Sequence, residues 1–130
     1  MTINRLDHLV LTVANIEETC RFYERVLGME REVFGNGRIA LKFGNQKINL
    51  HLKGHEIDPK ADKPTPGAAD LCFITDTLID EVIAELIAQN VPLLETKVPR
   101  TGANGPIVSV YFRDPDLNLI ELSNYVTVDN

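Results

Sequence analysis

Arg5-Leu-Asp-His-Leu-Val-Leu-Thr-Val13, running through Ala14-Asn15 into Ile16, Cys20, Tyr23 and Leu27, is the stretch that decides the fold. Its first nine residues are rich in branched apolar side chains and predict a strand. Asn15 is a good helix N-cap, and Glu18 follows three residues later, as in a capping box. Ile16, Cys20, Tyr23 and Leu27 recur at helical spacing, and Phe22 and Val26 widen the apolar face. Gly28 ends the helix as a C′ glycine does. Short strands are predicted around 30–34, 38–43 and 47–53. Gly35-Asn36-Gly37 and Gly44-Asn45 supply the turns between them.

The pattern then starts again. Asp70-Leu-Cys-Phe-Ile-Thr75 reads as a strand, and Thr77 as the cap of a second helix, with Asp80 three residues on. Leu78, Val82 and Leu86, with Ile79, Ile83 and Ile87, give that helix its apolar face, and Asn90 ends it. Further strands are predicted around 91–95, 107–113 and 118–124. His8 and Asp70, Asn15 and Thr77, and Gly28 and Asn90 are each 62 residues apart. Three landmarks at one offset imply a duplicated strand–helix–strands unit. Module one spans about 4–53, a proline-rich and charged linker about 54–69, and module two about 70–126. Thr96 to Pro106 reads as a second irregular stretch, of the kind that forms a lid or binding loop.

The chain has 130 residues, one ordinary domain, of which 44% are apolar and 25% charged. A net charge of -6 argues against nucleic acid and against an anionic membrane surface. No apolar run reaches the length of a membrane span, and Met1-Thr2-Ile3-Asn4-Arg5 has no signal-peptide character. Cys20 and Cys72 form no CxxC pair and read as free thiols, so a cytoplasmic protein is expected.

Alternation along the strands sorts the polar residues. Leu9, Leu11 and Val13 share one face, and His8, Val10 and Thr12 the other. Asn49 and His51 point away from Ile48, Leu50 and Leu52. Glu121 and Ser123 point away from Ile120 and Leu122, and Asp70 shares its face with Cys72. Alone, His8 or His51 would be an ordinary surface or hydrogen-bonded histidine. Together, His8, His51 and Glu121 make a 2-His-1-carboxylate ligand set for one divalent ion, with positions left open for water or substrate. Asp70 is a fourth ligand, or an outer acceptor that orients one of the histidines. Cys72, Asn49 and Tyr111 are expected in the substrate pocket, although for Cys72 the role of a small buried apolar residue is the preferred reading. His55 follows His51 at the spacing of a helical metal pair. In a strand, however, four residues span roughly 13 Å, too far for one ion, so His55 reads as loop. Asp114-Pro115-Asp116 reads as a turn.

Asp7-His8-Leu-Val-Leu-Thr-Val13, Cys20-Arg-Phe-Tyr23, Val26-Leu-Gly-Met29 and Phe112-Arg-Asp-Pro-Asp-Leu-Asn-Leu-Ile-Glu-Leu122 resemble the vicinal oxygen chelate superfamily of glyoxalases, bleomycin resistance proteins and dioxygenases. Small glyoxalase-domain proteins, including bacterial virulence-associated ones, are the most similar group. The resemblance implies an α+β fold of two βαβββ modules, whose curved mixed sheets form a metal-binding cleft. It implies ligand positions at His8, His51 and Glu121, and puts Asp70 where many members carry His or Glu. Leu117 stands where the family's turn usually has Gly. The resemblance further implies a homodimer with shared sites and one divalent ion (Ni, Zn, Mn, Co or Fe) per site. The expected activity is a glyoxalase-like lyase or isomerase with Glu121 as base, acting on a small oxygen-chelating substrate such as a thiol adduct. An extradiol-type Fe(II) dioxygenase, an antibiotic thiol transferase and a non-catalytic drug-binding protein are the alternatives.

Overall fold

The computed structural model describes residues 1–127. The chain divides into two compact units, Met1–Ala68 and Ala69–Asn130. The first unit runs β1 (His8–Val13), α1 (Ile16–Leu27), β2 (Glu30–Phe34), β3 (Arg38–Phe43) and β4 (Gln46–Leu52). The second runs β5 (Asp70–Ile74), α2 (Ile79–Ala88), β6 (Leu93–Gly102), β7 (Gly105–Arg113) and β8 (Leu119–Tyr125). Each unit folds its strands into one mixed sheet, in the order β1-β4-β3-β2 and β5-β8-β7-β6. The first and last strands of each unit pair in parallel, and the remaining pairs are antiparallel. The two βαβββ modules of the sequence reading are therefore present. Their helix ends match as well: Gly28 and Asn90 both take the left-handed backbone, with φ 66° and 58°.

Each sheet buries one face under its helix. In the first unit α1 packs Cys20, Tyr23 and Val26 against the side of the sheet that carries Leu41, Ile48 and Leu50. In the second, α2 packs Val82 and Leu86 against the side that carries Val110, Phe112, Ile120 and Leu122. Each such side chain contributes roughly 1.5–3 kcal/mol by leaving water. The opposite face of each sheet has no helix on it within its own unit. There the alternation places Asn49 and His51 in the first unit, and Asp70, Cys72 and Glu121 in the second.

Three expectations are corrected. Asn15 caps α1 as predicted, accepting from the Glu18 N–H at 2.9 Å, but Thr77 does not cap α2. The cap residue is Leu78, which has no side-chain hydrogen bond. Asn124 of β8 does the work instead: its Oδ1 accepts from the Ile79 N–H at 2.7 Å, and its Nδ2 donates to the Thr75 and Thr77 carbonyls. Thr96 to Pro106 is not an irregular loop. Most of it is β6 and its tight turn into β7. Register shifts between Leu93 and Val98, with Lys97 at φ 54°, hid the period-2 pattern. Pro99 is tolerated because β6 is an edge strand. Cys72 is exposed, so the packing role is excluded, while Cys20 is buried and both thiols are free.

The Asp114–Asn118 turn is built on one carboxylate. Asp114 Oδ1 accepts from the Asp116 and Asn118 N–H groups, and Asp114 Oδ2 accepts from Asn118 Nδ2. Closing this turn drives Leu117 to φ 70° with its side chain 66% exposed. A left-handed backbone costs an L-residue about 1–2 kcal/mol, and an exposed side chain recovers little of that by packing. Leu117→Gly is therefore expected to raise stability by up to about 1 kcal/mol, the freer unfolded chain taking back part of the gain. Urea denaturation checks this, and a clear loss of stability would refute it.

Candidate functional site

The polar face of the second unit carries a cavity of about 530 Å³. Asp70, Glu95, Arg100, Tyr111, Arg113 and Glu121 supply its polar walls. Register explains the grouping: Glu121 lies between Cys72 on β5 and Tyr111 on β7, and Asp70 is one step diagonal from it, opposite Leu119. Glu121 Oε2 accepts a short 2.5 Å hydrogen bond from Ser109 Oγ. Ser109 Oγ is in turn 2.7 Å from Ser123 Oγ, which is 3.4 Å from Cys72 Sγ. A hydroxyl has one proton to give. With Ser109 donating to the carboxylate, Ser123 donates to Ser109, and the row is ordered toward Glu121.

Tyr111 Oη accepts from Arg100 Nε at 3.0 Å, and the guanidinium also lies over the phenol ring. Burial pushes the Tyr111 phenol above its ordinary pKa, the Arg100 hydrogen bond pulls it down, and Glu121 pushes it up. Burial likewise pushes the Cys72 thiol up, so it is a poor thiolate at neutral pH.

On the polar face of the first unit, His8 Nδ1 is 2.8 Å from the Asp7 carboxylate, which is held below the usual carboxylate range chiefly by that hydrogen bond. With Nδ1 turned to Asp7, Nε2 is the ring nitrogen left for another partner. Asn49 is 4% exposed, and its Oδ1 is buried with no hydrogen-bond partner. His51 is 5% exposed and lies 3.4 Å from Arg38 Nη2. Burial, then the Arg38 charge, depress its basicity.

The registers decide which positions correspond between the units. His8 faces Lys47 and is one step diagonal from Asn49, which faces Val10. Asp70 faces Leu119 and is one step diagonal from Glu121. The counterpart of Glu121 in the first unit is therefore Asn49, and the counterpart of His51 is Ser123. By register, then, Asn49 and not His51 matches Glu121 in position. His51 faces Thr12, four residues along β1 from His8, a separation of roughly 13 Å. The guanidinium beside it is also a poor neighbour for a cation. The cause of the misplacement is the long β6–β7 hairpin, with strands of 10 and 9 residues against 5 and 6 in β2 and β3. With the longer turn of Asp114–Asn118 before β8, it changes the offset between the last strands from the 62 of the first landmarks to 72. Among the described residues no three His, Cys, Asp or Glu side chains form a metal-holding group. Each unit brings together a pair, and His55 lies in an exposed loop, as expected.

Residues 5–122 match the Glyoxalase/Bleomycin resistance protein/Dioxygenase superfamily. The chain belongs to this superfamily. It is 56% identical to virulence protein STM3117 of Salmonella typhimurium, across 97% of this chain and 88% of that protein. The crystal structure of that protein superposes with a TM-score of 0.96, covering 97% of this chain and 100% of the solved one. Glyoxalase domain-containing protein RDO1 of Mycosarcoma maydis is 51% identical across 96% of this chain and 70% of its own. Integron cassette protein VCH_CASS1, from the mobile metagenome of V. cholerae, is 58% identical with a TM-score of 0.95, covering 97% and 98% of the two chains. More distant relatives are named metallothiol transferase FosB and methylmalonyl-CoA epimerase, each 25% identical. At 23% identity and a TM-score of 0.73, a lactoylglutathione lyase from Agrobacterium tumefaciens shares the fold.

Of the residues the sequence singles out, Asp70, Tyr111 and Glu121 line the cavity and Cys72 and Asn49 do not; Ser109, Arg100 and Arg38 were not singled out. Ser109 was legible in principle, since it alternates with Tyr111 on β7 and so shares the face of Glu121. Arg100 was hidden by the bulged strand that read as a loop. The Tyr111 environment gives a direct test. The phenol is expected to keep its proton beyond the ordinary tyrosine range, and Arg100→Gln, by removing the donor that favours phenolate, to move the titration higher still. Ultraviolet difference titration against a Tyr111→Phe control reads both shifts, and a downward movement in Arg100→Gln would show that the hydrogen bond is not made.

Proposed function

We propose that the protein is a divalent-metal-dependent lyase or isomerase of the glyoxalase type, moving a proton on a small substrate that offers neighbouring oxygens. The observation that carries this reading is the mounting of Glu121. Its carboxylate stands on the wall of a cavity, beside Asp70, with Oε2 fixed by Ser109. Fixing one oxygen leaves the carboxylate little freedom to turn, which is what a positioned base needs.

Four groups would hold the ion: His8 and Asn49 of module one, Asp70 and Glu121 of module two. They are nitrogen and oxygen donors suited to a first-row divalent ion. The Asp7-oriented ring of His8 and the unpartnered Asn49 Oδ1 fit that role. When bound, the metal supplies Lewis-acid stabilisation of negative charge on a substrate oxygen. In this reading the module-one pair of one chain meets the module-two pair of a partner chain in a homodimer.

The protein's own part is proton handling. Glu121 takes the proton from the substrate carbon and returns it at the neighbouring position. Ser109 donates to Oε2 while the carboxylate is charged. Tyr111, protonated at neutral pH, donates to a substrate oxygen. The relatives named lyase and epimerase are consistent with this chemistry.

The purified protein is loaded in turn with Ni, Zn, Mn, Co and Fe, and hemithioacetal isomerisation is followed. Activity is expected with at least one metal, and Glu121→Gln should lower kcat by on the order of 10²–10⁴. Asn49→Ala is expected to weaken metal binding by about tenfold or more, and His51→Asn to leave metal affinity unchanged. Wild type that is inactive with every metal would refute the lyase reading. The reverse order of the Asn49 and His51 variants would refute the ligand assignment.

A further inference from the structure

The polar face of module one brings Arg38 and Lys47 to the same aromatic ring. Arg38 Nε is buried with no acceptor among the described residues. The Arg38 guanidinium stacks over the Phe34 ring at 4.9 Å, and Lys47 Nζ lies over the same ring at 3.6 Å. Neither cation forms an ion pair among the described residues, although the chain as a whole carries a net charge of -6. Arg31, by contrast, is held by both Glu17 and Glu24. Asp7, whose carboxylate feels the Lys47 charge, is hydrogen-bonded to His8. Arg38 Nη2 meets only a ring nitrogen, His51 Nε2, at 3.4 Å.

A buried guanidinium N–H left without an acceptor costs free energy that a bound acceptor would return. Nε and one Nη of an arginine form a planar fork that matches two oxygens of a carboxylate or a phosphate. Phe34 packs against the guanidinium, and Lys47 adds a second charge. We infer that Arg38, with His51 and Lys47, forms an anion subsite that receives an oxyanion group of a small-molecule ligand. The subsite lies in module one and does not depend on the lyase reading. A protein with no isomerase activity would still bind an anion here.

The full-length protein is titrated with inorganic phosphate, with acetate, and with acetamide as the neutral control. The readouts are calorimetric affinity and the Arg38 Nε–H resonance in nitrogen-detected NMR. At least one anion is expected to move that resonance downfield, and acetamide to leave it in place. Arg38→Gln should weaken anion binding by about tenfold or more, with Lys47→Met weakening it less. Tighter phosphate marks a tetrahedral oxyanion as the ligand group, and tighter acetate a carboxylate. Arg38→Lys serves if the glutamine variant fails to fold, because it keeps the charge and loses the fork. The inference is overturned if neither anion moves the Arg38 resonance into the tens of millimolar. It is also overturned if the Arg38 variant that folds binds as tightly as wild type, which is the result expected if the anion sits elsewhere, on a bound metal included.

Discussion

A four-stranded sheet served by a single helix has two faces and one cover, and that constraint organises each half of this protein. Period-2 alternation sends Leu41, Ile48 and Leu50 under α1, and Val110, Phe112, Ile120 and Leu122 under α2. The same alternation leaves every second residue on a face that no helix of its own unit covers. Hydrophobic burial under the helix fixes the strand register, because a slip of one residue would exchange the two faces. The chemistry is therefore positioned by packing on the far side of the sheet. Asp70 and Glu121 are diagonal neighbours because Leu71 and Phe73 alternate with Asp70 and Cys72 on a strand paired to Ile120 and Leu122.

The two polar faces have been finished differently. In module two the groups answer one another: Ser109 donates to Glu121, Ser123 to Ser109, and Arg100 to Tyr111. On the polar face of module one two buried atoms, Asn49 Oδ1 and Arg38 Nε, have no hydrogen-bond partner among the described residues. One is an acceptor and the other a donor, and each unmet group costs on the order of 1–3 kcal/mol. They also stand on different strands of one face, where an internal hydrogen bond between them would have answered both. A face that keeps a donor and an acceptor apart and unmet is suited to two dissimilar ligand groups, one electron-poor and one electron-rich.

The sequence disclosed most of this where its pattern was local. Asn15, Glu18 and Gly28 set both ends of α1, and the repeat at 62 residues exposed the duplication before any sheet was known. What stayed hidden was non-local. The cap of α2 comes from Asn124, more than forty residues away, which no local window can see. The β6 strand carries two register shifts and a proline at a sheet edge, so its periodicity was broken where Arg100 enters the cavity. Asn49 and His51 share a face, so alternation alone does not say which of them matches Glu121. Only the strand register separates them.

That register gives the duplication its chemical meaning. His8 and Asn49 hold in module one the places that Asp70 and Glu121 hold in module two. The copies have diverged from a common layout into a neutral pair and an anionic pair. In the proposed ligand set the two carboxylates balance a divalent ion, and the imidazole and amide add donor atoms without adding charge. A third carboxylate at position 49 would leave the bound ion net negative and would oppose the negative charge that develops on a substrate oxygen as its proton leaves. An amide at that place keeps the coordinating oxygen and removes the opposition. It also keeps negative charge away from the face that Arg38 and Lys47 share, where a carboxylate beside an incoming oxyanion would repel it.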